Sequence, residues 1–372
     1  MLKSALIEPV GGHGGMHYYD YGLAMGLGNS EIMVHYYTST QTKVLSYPNV
    51  HTHLCFKKVW DTQNKFLRLY YMLKGYKFTF DDCAAKGITI AHFQFFDLSA
   101  VNFLVMLLAA RYKFKKVLTL HDVSSFKGKD SGLTERYILK QFDAFIVHNQ
   151  LSYDELILKI RNHQKISIIP HGNYLPFVDE LPYRIDLESP LRLLFFGQIK
   201  KVKGLEILLE ALGKLKSQNV NISLCIAGKV WHDSLERYEA LVRDYNLADI
   251  VTAYFRYVPD EEVTSLFQEA DIVVLPYKKI YQSGVLLLSM SYGRVVLTSD
   301  LPAFSEIIED GVNGFKFKSE NVDDLVRVLS GLQKDKYKLP DIRNNASALL
   351  RERFDWKLIG RKTKEIYTAL AG

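Results

Sequence analysis

The stretch from Pro276 to Gly293 holds a Gln282, Ser283, Gly284 turn between the apolar run Asp271–Leu275 and a second apolar segment of helical length. Strand, turn and helix in that order make a place to hold phosphate. The turn offers backbone N–H groups, and the helix N-terminus carries partial positive charge. A cation for the same site comes from the connection Phe196–Gly204, which opens with Gly197 and Gln198 and contains Lys200, Lys201 and Lys203. Lys203 stands beside the helix start and is placed to meet a diphosphate; Lys200 and Lys201 read as solvated. Tyr257 and Val258 follow another strand, where strand ends in open α/β sheets border a ligand crevice. The acids from Asp260 to Glu262 come just after Pro259 and read as helix-start residues.

Two further groups lie in the first half. Gly11, Gly12, His13, Gly14 and Gly15 follow the first strand, and four glycines in five positions let something approach the backbone closely. The spacing is not that of a dinucleotide fingerprint, and no acid closes the second strand for a ribose. Three strands end near a histidine: His92 with Asp97, His121 with Asp122, and His171 with Gly172. They are too scattered in sequence to propose a metal site.

These residues need strands that end on one edge. The first half alternates strand-like Lys3–Glu8, Glu31–Tyr37, Ile88–Phe93, Lys116–His121, Ala144–His148 and Ile166–Pro170 with helical stretches such as Met16–Leu27, Leu98–Arg111 and Ser152–Arg161. Residues 173–189, with two prolines and no periodicity, read as a linker. Alternation then restarts at Leu191–Phe196 and runs to helices over Ile342–Phe354 and Asp355–Leu370. An α/β protein with two parallel-sheet domains is expected: 1–172 and 190–353, with a final helix at 354–372.

With 372 residues, 48% hydrophobic and 24% charged, the chain is of ordinary globular composition. Cys55, Cys83 and Cys225 show no paired or metal-ligand spacing, and reduced thiols in the cytoplasm are expected. The start, Met1–Glu8, reads as a strand and not as a signal peptide. The net charge of +6 is too mild for a nucleic-acid binder without a motif. Lys65–Phe78 mixes basic and aromatic residues at helical spacing, as a surface helix or one lying on a membrane would.

From Gly197 to Gly204, then Ile226-Ala227-Gly228, Tyr257–Glu262, Ala270–Pro276, Tyr292–Val296 and Glu306–Gly314, the ordered set resembles family 4 retaining glycosyltransferases of the GT-B fold. The resemblance implies two Rossmann-like domains facing across a cleft, the second holding a nucleotide sugar (UDP- or GDP-linked) and the first a saccharide or lipid-linked acceptor. It implies no metal or cofactor, a last helix crossing back to the first domain, and an enzyme of polysaccharide or glycolipid assembly in the cytoplasm, peripheral on the inner face of the membrane. Lys203 would contact phosphate and His121 would stand near the transferred sugar. Gly11 and Gly12 would lie near the phosphates, and Glu306 matches an acidic position. His13, His92, Asp122 and His171 are the acceptor-side candidates.

The family's pair of glutamates, with seven residues between them, is absent: their places are Ile280 (or Tyr281 if one residue is deleted) and Leu288. Gln198 stands where the family has Arg or Lys. Gln282, Ser283 and Ser289 are the polar substitutes nearby. A non-catalytic nucleotide- or sugar-binding partner on the same fold is the alternative that these departures motivate.

Overall fold

A computed structural model gives the structure of the chain and describes residues 1–13, 16–44, 46–96, 98–123, 132–160, 165–179, 181–183 and 185–372. The chain divides into two compact units, Met1–Gly172 with Phe354–Gly372, and Asn173–Arg353.

The first unit is a seven-stranded parallel sheet in the order β3-β2-β1-β4-β5-β6-β7. Its strands are β1 (Lys3–Glu8), β2 (Met33–Ser39), β3 (Val50–Phe56), β4 (Ile90–Phe95), β5 (Lys115–Leu120), β6 (Ala144–Val147) and β7 (Ile166–Ile168). Its helices are α1 (His17–Asn29), α2 (Lys65–Ala85), α3 (Ala100–Ala109), α4 (Gly132–Lys140), α5 (Gln150–Ile160) and the C-terminal α13 (Trp356–Ala371). Most central strands are apolar runs because both faces are covered. One face packs Ile7, Phe93, Leu118 and Phe145 against α2 to α5, through Phe80, Met106, Ile138 and Leu156.

The edge strand β3 was not expected. Its residues 51–53 are His, Thr and His, so no apolar run announces it, yet it pairs in register with β2 from Val34↔Val50 to Thr38↔Leu54. That pairing stacks His35 against His51 and His53, with His35 Nδ1 3.0 Å from His53 Nε2.

Against propensity, α1 holds Gly22, Gly26 and Gly28. Gly28 faces the Pro48 carbonyl, whereas Gly26 is in backbone contact with α13. A Cβ on Gly26 would stand 2.0 Å from the Trp356 carbonyl oxygen, and one on Gly360 would stand 2.1 Å from the Gly26 backbone. Gly22 and Gly172 likewise make room for the Trp356 ring.

The second unit is a six-stranded parallel sheet, β10-β9-β8-β11-β12-β13. Its strands are β8 (Leu191–Phe196), β9 (Ile222–Ala227), β10 (Val251–Tyr254), β11 (Ile272–Leu275), β12 (Val295–Ser299) and β13 (Phe315–Phe317). Around it lie α6 (Leu205–Ser217), α7 (Leu235–Asp244), α8 (Asp260–Glu269), α9 (Gly284–Ser291), α10 (Pro302–Ser305), α11 (Val322–Lys334) and α12 (Leu339–Arg353). The helix α10 is a single turn that stops at Ser305. Beyond it, Asn313 folds the chain into a turn, accepting the Glu309 N–H at 2.9 Å and donating to the Ile307 carbonyl at 3.0 Å.

Residues 173–189 belong to this unit. Asn173 donates to the Leu350 carbonyl (3.1 Å), the Tyr174 N–H reaches Ser291 Oγ (3.0 Å), and the Tyr183 hydroxyl donates to the Asp271 carbonyl (2.9 Å).

The glycine contacts generate a paired prediction. In α11, Gly331 faces open space, so Gly331→Ala gains helix propensity and raises stability by roughly 0.5–1 kcal/mol. Gly26→Ala has the same propensity gain but forces α13 away, and the expected net loss is about 1–3 kcal/mol. Urea unfolding of both variants checks this; a stabilised Gly26→Ala would show that the helices do not need the contact.

Candidate functional site

In the second unit, two loops meet at the strand ends. Gly204 adopts φ +67° at the start of α6, and a Cβ there would stand 2.0 Å from the Pro276 carbonyl oxygen. The Lys278 N–H donates to the Val202 carbonyl at 2.8 Å. The Tyr277 carbonyl accepts from Ser299 Oγ at 2.6 Å. The β8–α6 loop is thereby fastened to the β11–α9 loop.

This contact sets Lys203. Its ammonium lies 4.9 Å from the centroid of the buried Tyr277 ring. A Cβ built on Gly197, itself at φ +97°, would stand 3.6 Å from Lys203 Nζ and 3.3 Å from Val285 Cγ2. So Gly197, the Lys203 ammonium and the first turn of α9 share one small region. Lys278 is ion-paired with Glu206, whereas Lys203 has no ion-pair partner among the described residues.

At the start of α9, Ser283 is the N-cap and its hydroxyl accepts the Leu286 N–H at 3.2 Å. The N–H groups of Gly284 and Val285 find no acceptor among the described residues. Two open amides at a helix N-terminus beside a lysine make an anion site. Sequence reasoning missed Tyr174, whose hydroxyl would be 2.9 Å from a Cβ on Gly284 and so stands close to the start of α9. Gln282 is half-buried and Gln198 exposed.

Two expectations for this unit change. Ser289 is fully buried and its hydroxyl donates to the Val285 carbonyl at 2.6 Å, so it is an interior residue and not a donor-facing one. The Tyr257 side chain is 70% exposed, and its carbonyl accepts from Arg256 at 3.2 Å, an arginine also clamped on Glu262. Val258 is half-buried next to it, and Glu306 is exposed beyond α10.

In the first unit the structure brings three histidines, His121, His148 and His171, together around Tyr19. His121 is 3% exposed, its Nε2 is 3.0 Å from the Gln94 side-chain amide, and its Nδ1 is 3.3 Å from His148 Nε2. His148 Nδ1 lies 2.9 Å from the Ile169 carbonyl, which can only accept. That fixes the proton of neutral His148 on Nδ1. The atom of Gln94 that faces His121 Nε2 is the side-chain oxygen Oε1, an acceptor, so the His121 N–H points there. Tyr19 packs against His121, His148 and His171 at 5.0, 5.3 and 5.0 Å between ring centroids. Asp122 is half-buried one residue beyond His121.

His92 drops out as an acceptor candidate. It is fully buried, with Nδ1 2.6 Å from the Tyr367 hydroxyl and Nε2 2.7 Å from Thr119 Oγ1, and so fastens α13 to the sheet. Gly11 and Gly12 drop out as phosphate contacts in this structure because their amides are used internally. The Gly11 N–H goes to the Glu8 carboxylate and the Gly12 N–H to Thr42 Oγ1 at 3.1 Å. Their lack of side chains serves local packing: a Cβ on Gly11 would collide with Thr42, Thr38 and Ser39. The His13 side chain, Gly14, Gly15 and Asp97 lie outside the described residues.

Sequence reasoning also missed Glu8 and Asp20. Both are fully buried, and Asp20 accepts from the Tyr36 hydroxyl at 3.0 Å. Burial pushes the Glu8 carboxyl up to about 7, against the lowering effect of the Gly11 and Val10 amides. Burial and the charge of Glu8 raise Asp20 well above the ordinary range. The only early signal was an acid at the end of an otherwise apolar first strand.

Among the described residues, no three His, Cys, Asp or Glu side chains are arranged to hold a metal ion.

Residues 184–348 match the family model of group 1 glycosyl transferases. That span is nearly the whole second unit and contains Gly197, Lys203 and the start of α9. An uncharacterized glycosyltransferase of Methanocaldococcus jannaschii is 24% identical over 324 residues, 82% of this chain and 79% of its own. The GDP-mannose:glycolipid 4-beta-D-mannosyltransferase of Xanthomonas campestris pv. campestris is 28% identical over 260 residues, 69% of each chain. Among solved structures, sucrose-phosphate synthase from Thermosynechococcus elongatus gives a TM-score of 0.76 at 18% identity, covering 100% of this chain and 99% of that one. Anabaena HepE in complex with UDP gives 0.73 at 15% identity over 100% of both. These likenesses show the fold: two Rossmann-like parallel-sheet domains of the GT-B type.

The buried histidines generate a pH prediction. Burial first, then neighbouring histidine charge, pushes His92 and His148 down to about 3 and His121 well below its ordinary value. A histidine whose folded value lies below its unfolded one costs nothing above about pH 6.5. It destabilises progressively as pH falls from there toward the folded value, because the unfolded chain binds the proton first. Glu8, raised on folding, acts in the opposite sense, so a single variant isolates the term. Between about pH 6.5 and pH 5, His92→Gln should lose roughly 2 kcal/mol less stability than the unmodified chain. Parallel urea midpoints would sink the assignment.

Proposed function

We propose that the chain is a glycosyltransferase that moves a sugar from a nucleotide-diphospho-sugar to a saccharide or lipid-linked acceptor in polysaccharide or glycolipid assembly. The observation that carries this is the convergence of the unpaired Lys203 ammonium, Gly197 without a side chain, and the open Gly284 and Val285 amides. A nucleoside diphosphate leaving group fits that set of donors. Negative charge accumulates on it as the glycosidic bond breaks, and donors already in position stabilise it without reorganising. Lys203 and the helix end, in this reading, carry that charge without a metal ion. The group 1 match and the Xanthomonas relative, named for a GDP-sugar donor and a glycolipid acceptor, support the reading.

Uridine and guanosine diphosphate sugars are the donors to test. His121 serves as a neutral hydrogen-bonding group and not as a general base, since burial holds its value far below neutral pH. Asp122 and His171 remain the acceptor-side candidates. We place the reaction in the cytoplasm and assign it retention of anomeric configuration. Inversion is the second reading: the Xanthomonas relative is named for a β linkage made from GDP-mannose, whose own glycosyl bond is α. The anomeric coupling of the product by NMR decides between the two.

Lys203→Ala should fold normally and lose about 10²–10³-fold in turnover, read as nucleotide release with a panel of acceptors, with EDTA leaving the unmodified rate unchanged. Full activity in that variant would refute the phosphate role. Donor binding without turnover on any acceptor would favour the non-catalytic partner suggested by Ile280 and Leu288.

A further inference from the structure

α2 and α3 join into one surface that the proposed transfer reaction does not use. On α2, Phe66 is 85% and Tyr70 57% exposed, with Leu67 and Phe78 also in solvent. Phe66, Tyr70, Lys74 and Lys77 follow at helical intervals, so aromatic and basic side chains share a single outward face. The buried face of the same helix carries Gly75, Tyr76, Thr79, Phe80 and Cys83. This is an amphipathic helix whose solvent side is itself partly apolar.

α3 extends that side. It has no charged residue at all, and Val101, Leu104 (37% exposed) and Leu107 lie three residues apart on its outer face. Both helices are crossovers on the same face of the sheet, and the Tyr112 hydroxyl beyond α3 ties back to Asp81 of α2 at 2.7 Å. The result is a continuous ridge of exposed large apolar side chains, which a monomeric soluble surface rarely shows.

The charge around the ridge is mainly basic. From Lys57 to Asp82 the chain has six basic residues (Lys57, Lys58, Lys65, Arg68, Lys74 and Lys77) against three acids, Asp61, Asp81 and Asp82, of which Asp81 pairs with Lys77. Arg111, Lys113, Lys115 and Lys116 follow α3 without an acid among them. Arg68 is held by the Thr62 carbonyl and lies over the Trp60 ring, whereas Lys65 and Lys74 are exposed. Among the described residues, no helix is long and apolar enough to cross a membrane, so any attachment made by these helices is to a surface.

We propose that the outer face of α2 and α3 docks the first unit on an anionic lipid surface, Phe66, Tyr70 and Leu104 entering the interface while Lys65 and Lys74 meet the headgroups. Apolar insertion and headgroup attraction act together, and each alone gives weak binding. The proposal deepens the transferase reading by naming where a lipid-linked acceptor would be met, and it can fail separately from that reading.

The test is co-sedimentation with phosphatidylcholine vesicles, with and without phosphatidylglycerol, alongside turnover on a water-soluble acceptor. The full chain should bind only the anionic vesicles, and salt should weaken the binding. Lys65→Glu with Lys74→Glu should weaken it at least tenfold while soluble-acceptor turnover stays unchanged. Phe66→Ser with Leu104→Ser should lose binding at equal charge. Absence of binding to anionic vesicles, or binding unaffected by either variant set, would overturn the proposal. So would a dimer in analytical ultracentrifugation that Phe66→Ser with Leu104→Ser disperses, since the face would then be covered by a second copy. Loss of turnover on every acceptor with vesicle binding intact would strike the transferase reading instead.

Discussion

The second unit's chemistry depends on one backbone contact, Gly204 against the Pro276 carbonyl. Parallel strands deliver two loops to the same edge, but only the missing side chain lets them touch. Once they touch, Val202 accepts from Lys278, Tyr277 is held from below by Ser299, and Lys203 is left over the Tyr277 ring. The lysine is placed by the fold and not by a carboxylate partner. That keeps its charge available: Lys278, next in the same neighbourhood, is neutralised by Glu206 and could not serve an incoming anion as well.

The first unit solves a different problem, polar groups kept out of water. His92, His121 and His148 are buried, and neutral imidazoles linked in a chain of donors and acceptors avoid most of the cost of leaving solvent. The chain ends at Tyr367 on one side, so the C-terminal helix is part of the same network. Glu8 and Asp20 repeat the logic with carboxyls, where Glu8 fixes the first glycine loop through the amides of Val10 and Gly11.

Much of this was legible because parallel sheets write themselves as apolar runs. Lys3–Glu8 and Leu191–Phe196 have the bounds that the sequence suggests. The edge strand β3 was not legible, because edge strands need no apolar run and its histidines stack on a neighbour instead. The spacing of Lys203 and the Gln282 to Gly284 turn suggested that they meet, and the structure does bring Gly197, the Lys203 ammonium and the first turn of α9 into one region. Gly11 and Gly12 misled. A glycine reports close approach without saying what approaches, and here it is Thr38 and Thr42 of the same unit. Ser289 misled because a helix face cannot be assigned from one serine, and its hydroxyl had a carbonyl four residues back to bond.

The absent carboxylates now have a structural meaning. In α9, Leu286, Leu287, Ser289, Met290 and Ser291 are buried, and the side chain at position 288 is leucine. Such a helix offers a ligand only its N-terminus. Backbone amides and a lysine recognise phosphate oxygens strongly but give no acceptor for sugar or ribose hydroxyls. Under the transferase reading proposed above, selectivity among donors would therefore rest on side chains outside α9, because leucine at 288 offers no acceptor for a hydroxyl.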